Sequence, residues 1–177
     1  MVEAVLNENL QGKTLLELGT GSGVISISIA QENRDCFIFA TDISIKSILV
    51  AKQNAKKFCC ENIIFLNHDW NNEWLFPQVD YLISNPPYVD KEATTGKEEG
   101  IWYEPEKALF SKDKGLSDLK LILSKGKNFL NENGKVYLEH APNQYEELNK
   151  FALKNGYLNF SNLNDLNGDK RVSIYQC

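Results

Sequence analysis

Residues 15–23 read Leu-Leu-Glu-Leu-Gly-Thr-Gly-Ser-Gly, an apolar run that ends in three glycines at alternate positions. A short apolar run is typical of a buried strand, and glycines directly after it let the backbone turn sharply and approach a ligand closely. A dinucleotide site would place glycines at positions 19, 21 and 24, but the third of these is Val24. The stretch therefore predicts a strand followed by a nucleotide-type cofactor loop, with NAD or FAD less favoured.

Short apolar runs alternate with longer amphipathic stretches along the chain, which is typical of parallel strands joined by crossover helices. Seven strands are predicted, over residues 13–18, 36–41, 62–67, 79–84, 135–139, 158–163 and 171–175. Four helices are predicted, over residues 24–33, 44–58, 115–131 and 142–155, the second with Ser44 as N-cap. We expect an α/β fold with a seven-stranded, mostly parallel sheet and helices on both faces.

Two stretches need arguments other than periodicity. Residues 24–30 alternate with period two, as a strand would, but a glycine turn after a parallel strand must lead into a crossover, so we predict a helix. Residues 86–115 show no periodicity, and a segment of that length in a compact domain is usually a functional loop or lid.

The composition bounds the class of protein. The chain has 177 residues, 42% hydrophobic and 24% charged, which fits a single soluble domain. A net charge of −5 without charge runs argues against a nucleic-acid or anionic-membrane surface. No apolar run approaches the ~20 residues of a membrane span, and the N-terminus lacks a secretory signal pattern. We expect a cytoplasmic protein whose four cysteines are reduced, buried thiols that form neither disulfides nor a zinc site.

Polar residues at the ends of the second and third strands are candidate cofactor ligands. Asp42 follows the second strand, where a carboxylate can accept hydrogen bonds from both hydroxyls of a ribose. The alternative is a strand-end carboxylate that caps the helix from Ser44. Asp69 and Trp70 follow the third strand, where they could bond an adenine amino group and line its slot. The alternative is a core tryptophan beside a surface aspartate.

Residues 85–88, Asn-Pro-Pro-Tyr, follow the fourth strand. The two prolines fix the backbone, so the Asn85 side chain and the Pro86 carbonyl are held rigidly above the sheet. These two acceptors could take both hydrogens of a planar amino group and direct its nitrogen toward an electrophilic methyl, while Tyr88 stacks on the flat group. The alternative is a turn that merely contains two prolines.

The chain resembles the methyltransferase domain of the HemK/PrmC family, the protein-glutamine N5-methyltransferases of class 1 peptide chain release factors. The resemblance is carried by residues 17–23, 69–70 and 85–88, and by matches to E-P-x-x-A-L over 104–109, D-x-G-L over 113–116 and D-L-x-G-x-x-R-V over 165–172. It covers nearly the whole chain and implies a Rossmann-like class I fold dependent on S-adenosylmethionine (AdoMet).

The resemblance also implies the residues of the site, and no metal. Cofactor-binding residues would be Glu17, Gly19, Thr20, Gly21, Ser22, Gly23, Asp42, Ile43, Asp69, Trp70 and Asn85, with S-adenosylhomocysteine as product. The catalytic residues would be Asn85, Pro86, Pro87 and Tyr88. The substrate would be the glutamine of the GGQ motif in a release factor, without a dedicated general base.

The chain departs from the family at two places. About twelve residues precede the first strand, so we expect one domain without the helical N-terminal domain that is usual in the family. Where the family usually has L-E-x-G, residues 138–141 are Leu-Glu-His-Ala, and we interpret His140 as a tolerated residue at the rim without an acid–base role. The same interpretation applies to His68.

Two other functions stay open. An adenine-N6 methyltransferase would present the same planar amino group to Asn85. Its nucleic-acid substrate is disfavoured by five glutamates of the loop between the Asn-Pro-Pro-Tyr motif and the next helix, Glu92, Glu98, Glu99, Glu104 and Glu106. The second alternative is a non-catalytic AdoMet-binding module, against which the intact motif argues.

Overall fold

The computed structural model describes residues 1–90 and 110–177. The strands there are β1 Thr14–Leu18, β2 Phe37–Asp42, β3 Ile63–Asn67, β4 Val79–Ser84, β5 Val89–Asp90, β6 Phe110–Ser111, β7 Leu130–Glu139, β8 Asn159–Asn164 and β9 Lys170–Gln176. The α-helices are α1 Val2–Leu6, α2 Val24–Glu32, α3 Ile45–Lys57, α4 Ser117–Gly126 and α5 Tyr145–Lys154. Short 3₁₀ turns at Lys127–Phe129 and Pro142–Gln144 lead into β7 and α5.

Seven strands form one sheet in the order β3-β2-β1-β4-β7-β9-β8, and they are the seven predicted from sequence. The neighbours from β3 to β7 pair in parallel, whereas β9 runs antiparallel to both β7 and β8. Leu18 lies opposite Thr41 on one side and Ser84 on the other. The chain segments that leave β1, β2 and β4 therefore emerge side by side at one edge of the sheet, where parallel α/β sheets bind their ligands.

Helices cover both faces of the sheet, as predicted. Leu15 packs into a core with residues of α1, α2 and α3, whereas its neighbour Leu16 packs into a second core with residues of α4 and α5. Because successive side chains of a strand point to opposite faces, a strand buried on both faces is apolar at nearly every position. This explains the near-continuous apolar run of β1.

The helix predicted against its own period-two pattern is confirmed as α2. Its side chains from Ser26 to Ala30 are mostly buried, so the tertiary position of the crossover outweighs the local alternation. Gly23 is its N-cap, with φ of 87°. A Cβ there would lie 2.9 Å from the Ile27 side chain and 3.1 Å from Cβ of Ala51 in α3, so this glycine allows the two helices to approach closely.

Two predicted boundaries are wrong. A helix was expected over residues 115–131, but α4 ends at Gly126 and β7 begins at Leu130, five residues before the predicted strand. Leu130 pairs with Val79 of β4 and is buried in the core. Strand pairing and burial therefore outweigh the helical pattern of this segment. The Ser44 N-cap is confirmed, since its hydroxyl accepts a 3.2 Å hydrogen bond from the N–H of Ser47.

Two short strands, β5 and β6, form a second, parallel two-stranded sheet and were not predicted. They flank residues 91–109, so most of the predicted functional loop, its five glutamates and the E-P-x-x-A-L match lie outside the described residues. Three of the four cysteines are fully or partly buried, but Cys59 is exposed, so the prediction of buried thiols is wrong there. None of the helices that the structure describes is both long and apolar enough to span a bilayer.

Candidate active site

A cavity of about 780 Å³ opens at the edge of the sheet where β1 and β4 end. Nine of the predicted site residues line it: Glu17, Gly19, Thr20, Gly21, Ser22, Asn85, Pro86, Pro87 and Tyr88. The topology thus brings the glycine loop and the Asn-Pro-Pro-Tyr motif to one space, although they are more than sixty residues apart in sequence. The other predicted residues lie outside the cavity lining: Gly23, Asp42, Ile43, Asp69 and Trp70.

Backbone hydrogen bonds hold the glycine loop in shape. The N–H groups of Gly19 and Thr20 both donate to the Thr41 carbonyl, at 2.9 and 2.8 Å. Gly19 and Gly21 have φ of 75° and 57°, a left-handed conformation that favours glycine. A Cβ on Gly21 would meet no atom within 4 Å, so the space above this residue is open to a ligand.

Glu17 is buried at the base of the cavity, with 1% of its surface exposed. Its Oε2 accepts hydrogen bonds from the Thr20 hydroxyl at 2.7 Å, from the Ser26 N–H at 3.2 Å and from the Ser26 hydroxyl. Burial raises the pKa of this carboxyl, and the donors from Ser26 and Thr20 oppose the rise. The carboxylate thereby joins β1, the glycine loop and the start of α2.

Asp42 joins the glycine loop to the end of β2. One carboxylate oxygen accepts a 2.9 Å hydrogen bond from the Gly21 N–H, and the other accepts 2.8 Å from the Ser44 N–H. Each carboxylate oxygen has a second acceptor site, so both can still take a hydrogen bond from a ligand hydroxyl. Ile43, the next residue, has 51% of its surface exposed.

The residues after β3 are held by α4. The Trp70 indole N–H donates to the Asp118 carboxylate at 3.1 Å, and its ring lies 3.1 Å from the position that a Cβ of Gly19 would take. Lys125 donates to three successive backbone carbonyls, those of residues 70, 71 and 72, each at 2.9 Å. Trp70 therefore packs directly behind the glycine loop.

The Asp69 side chain is already used locally. Its Oδ1 accepts from the backbone N–H and the side-chain amide of Asn71, at 2.9 and 2.8 Å. The backbone bond from Asn71 holds the pKa of Asp69 below its usual range, so the group is a carboxylate at neutral pH. Its second oxygen remains the candidate acceptor for an adenine amino group.

The Asn-Pro-Pro-Tyr segment combines a buried frame with an exposed amide. Pro86 and Pro87 are buried, whereas Asn85 is exposed at the cavity wall. The Tyr88 hydroxyl donates to the Glu139 carboxylate at 3.2 Å. Glu139 ends β7 and itself lines the cavity, so two adjacent strands fix the ring of Tyr88.

Several cavity residues were not predicted. They are Met1, Val2 and Glu3 at the start of the chain, Val24 and Ile25 of α2, Val89 and Glu139. The apolar spacing of Val2, Val5 and Leu6 would have indicated a helix at the start of the chain. Glu139 belongs to the Leu-Glu-His-Ala stretch at 138–141, but only the pairing of β7 with β4 places it beside Tyr88.

His140 was expected at the rim of the site. It is instead completely buried. Its Nδ1–H donates to the Ala141 carbonyl at 2.8 Å, and its Nε2 lies 2.8 Å from the Ser173 hydroxyl of β9. Burial lowers the pKa of this imidazole, which keeps it neutral. His140 therefore joins β7 to β9 as a structural residue. His68 is half-buried and packs edge-on against Phe76, with its ring centroid 5.0 Å away.

The residues present fit AdoMet better than a dinucleotide. Three acidic side chains line the cavity, the more solvent-accessible Glu3 and Glu139 and the buried Glu17, and its described lining contains no Lys or Arg. Such a lining disfavours a pyrophosphate and suits a cofactor with a cationic amine and sulfonium. The glycine loop allows a close backbone approach, and the Asp42 carboxylate beside it keeps acceptor sites that a ribose hydroxyl could use.

The sheet order, the glycine loop and the cavity define a Rossmann-like, class I methyltransferase. The chain belongs to the family described as "Methyltransferase small domain", whose model matches residues 1–104. This membership confirms the predicted class and AdoMet as the cofactor.

Curated relatives agree with the HemK/PrmC resemblance. The chain is 33% identical over 176 residues to a "Release factor glutamine methyltransferase" of Francisella tularensis, covering 99% of this chain and 62% of the relative. It is 39% identical over 166 residues to a "Bifunctional methyltransferase" of Rickettsia bellii, covering 93% of this chain and 30% of the relative. The chain thus spans less than two thirds of the length of these relatives.

Solved structures agree on the fold. A methyltransferase from Pyrococcus furiosus superposes with a TM-score of 0.72 at 20% identity, covering 98% of this chain and 80% of that one. At this identity the likeness concerns the fold alone.

Proposed function

We propose that this protein transfers a methyl group from AdoMet to the side-chain amide nitrogen, N5, of a glutamine in a class 1 peptide chain release factor, at its GGQ motif. The observation that carries the proposal is the shared cavity, whose wall includes both the glycine loop and residues 85–88. A methyl donor held by the glycine loop and an acceptor held by residues 85–88 would meet in this one cavity.

The proposed acceptor is a planar amide, whose nitrogen is a poor nucleophile because its lone pair is delocalised. The exposed Asn85 side chain and the carbonyl of the buried Pro86 would accept its two N–H hydrogens. Two acceptors in fixed positions orient the nitrogen and increase its electron density, and Tyr88 stacks on the amide plane. AdoMet, when bound, supplies the electrophilic methyl.

Charge favours a protein substrate over a nucleic acid. The described lining of the cavity is acidic, and the chain carries a net charge of −5. A phosphate backbone would be repelled by both, since nucleic-acid affinity rests largely on basic side chains. The names of several relatives that align over 90% or more of this chain, release factor glutamine methyltransferases, support the same substrate class.

We further propose that residues 1–177 act as one methyltransferase domain in the cytoplasm. A release factor is the proposed partner, and neither a membrane nor a nucleic acid is. The substrate's binding energy must come largely from surface remote from the reacting amide, because one glutamine side chain offers few contacts.

The proposal is tested by incubating the protein with methyl-labelled AdoMet and, separately, a purified release factor, duplex DNA or RNA. Label is expected in the release factor and to depend on Asn85, so N85A serves as the matched negative control. Label in DNA or RNA instead would support adenine-N6 methylation. AdoMet binding by calorimetry without transfer to any substrate would support a non-catalytic module.

A further inference from the structure

Gln144 lies behind the Asn-Pro-Pro-Tyr segment, just before α5, and is 5% exposed. Its side-chain Nε2 donates to the Tyr88 carbonyl at 2.8 Å and to the Lys114 carbonyl at 3.0 Å. Its Oε1 accepts a 2.9 Å hydrogen bond from the Ala141 N–H. One buried amide thus ties the segment to the turn before α4 and to the end of β7.

These bonds define which way the amide points. A primary amide has two N–H donors, and both are used here on backbone carbonyls. Turning the amide over would place its oxygen against the carbonyls of Tyr88 and Lys114 and its NH₂ against the N–H of Ala141. All three contacts would then be repulsive, so Gln144 has a single favourable orientation.

Gly115 provides a second and independent constraint on the same carbonyl. Its φ is 80°, and a Cβ there would lie 2.1 Å from the Tyr88 carbonyl oxygen and 2.5 Å from the Gln144 Nε2. Asp113 and Lys114 also have positive φ, of 53° and 55°. The D-x-G-L turn therefore bends back so that Lys114 presents its carbonyl to Gln144 while Gly115 leaves room for Tyr88.

We propose that Gln144 is a positioning residue, which with Gly115 fixes the main chain at Tyr88 and through it the acceptors that bind the substrate amide. The intervening backbone transmits this constraint because Pro86 and Pro87 have little rotational freedom. At the far end of the Tyr88 side chain, the hydroxyl donates a hydrogen bond to Glu139. The inference rests on the proposed function where kcat for methylation is measured. It does not depend on that function where hydrogen–deuterium exchange is measured.

Gln144→Met keeps the length of the side chain and removes all three hydrogen bonds. We expect kcat for release factor methylation to fall about 10- to 100-fold, as for a small misplacement of reacting groups. The AdoMet Kd should stay that of the wild type, because no hydrogen bond of Gln144 reaches the glycine loop. The exposed Gln53→Met on α3 is the matched control and should leave both constants unchanged.

Gln144→Glu adds a pH readout that Gln144→Met, which has no ionisable group at this position, does not give. The carboxylate form faces two carbonyl oxygens without a donor, whereas the protonated form can donate to one of them. The kcat of this variant relative to wild type should therefore rise as pH falls, while the ratio for Gln144→Met stays flat. A flat ratio for both variants would overturn the proposal.

Gly115→Ala tests the same constraint by placing a Cβ against the Tyr88 carbonyl oxygen. Gly168→Ala is its control, since φ there is 88° and a Cβ would meet no atom within 4 Å. Both variants place an alanine at a positive φ, 80° and 88°, but only Gly115→Ala should lower kcat.

Hydrogen–deuterium exchange of residues 88–90 separates this inference from the proposed function. Exchange should accelerate in Gln144→Met and Gly115→Ala but not in the two controls, even if no release factor is methylated. Folded variants with wild-type exchange in this segment would overturn the proposal.

Discussion

The carboxylate of Asp42 accepts a 2.9 Å hydrogen bond from the backbone N–H of Gly21. The bond joins the end of β2 to the tip of the glycine loop, across 21 residues of sequence. One side chain thus shapes the loop and remains able to accept from a ligand hydroxyl. Residues that act both in folding and in binding need controls that separate the two effects.

Asp42→Ala should weaken AdoMet binding by about 1.5–3 kcal/mol, the range for hydrogen bonds to a charged acceptor. Isothermal titration calorimetry measures the change. Asp80→Ala is the matched control: Asp80 accepts a 2.9 Å bond from the Thr14 N–H and pairs with Lys13, but at the opposite edge of the sheet. The Asp80→Ala variant should have a lower free energy of unfolding and an unchanged AdoMet Kd. An unchanged Kd in folded Asp42→Ala would remove this residue from the site.

Glu17→Gln should change how stability depends on pH in the ligand-free protein. The pKa of Glu17 is raised in the folded state by burial, so the folded state binds the proton more tightly than the unfolded chain does. The wild type therefore loses stability as pH rises from the ordinary pKa of a glutamate through the raised one. The variant lacks this contribution, so its free energy of unfolding relative to wild type should improve with rising pH. Urea titrations at several pH values test this, and parallel curves would contradict it.

Lys125→Met should loosen the segment after β3, because the ammonium is bonded to the carbonyls of residues 70–72. We expect the free energy of unfolding to fall by roughly 1 kcal/mol and AdoMet to bind more weakly. Lys127→Met is the control on the same stretch of chain, since Lys127 donates to the carbonyl of Gly156, away from the cavity. If both variants bind AdoMet like the wild type, Lys125 has no part in shaping the cofactor site.

Asn85→Ala should act on turnover rather than on folding, since Asn85 is exposed at the cavity wall. Its kcat on release factor should fall at least about tenfold, because in the proposed reaction the side chain orients the nucleophile in the transition state. The control is Asn159→Ala, whose kcat should equal that of the wild type. Asn159 is exposed and begins β8, the outermost strand of the sheet. A kcat of Asn85→Ala close to that of this control would refute the positioning role.

The sequence was sufficient to predict the parallel part of the sheet because buried parallel strands have a simple apolar signature. The meeting of the glycine loop, Asp42 and residues 85–88 at one edge of the sheet was predictable for a related reason: each lies at the carboxyl end of a strand, and these strands are neighbours. The helical state of α2 was predictable only from topology, since its own residues alternate with the period of a strand.

Other features depend on long-range contacts that leave little local trace. The early start of β7 is decided by the pairing of Leu130 with Val79. The burial of His140 is decided by packing against β9, which carries its partner Ser173. The need for glycine at position 115 comes from the carbonyl of Tyr88, 27 residues earlier. No periodicity or composition encodes these contacts.

The most direct test of the proposed function is to map the methylated atom. Release factor treated with the protein and AdoMet is digested and sequenced by tandem mass spectrometry, with the Asn85→Ala variant treated in parallel. We predict one added methyl on the glutamine of the GGQ motif, formed by the wild type and nearly absent with the variant. A methyl on another residue, or equal methylation by both proteins, would contradict the proposed function.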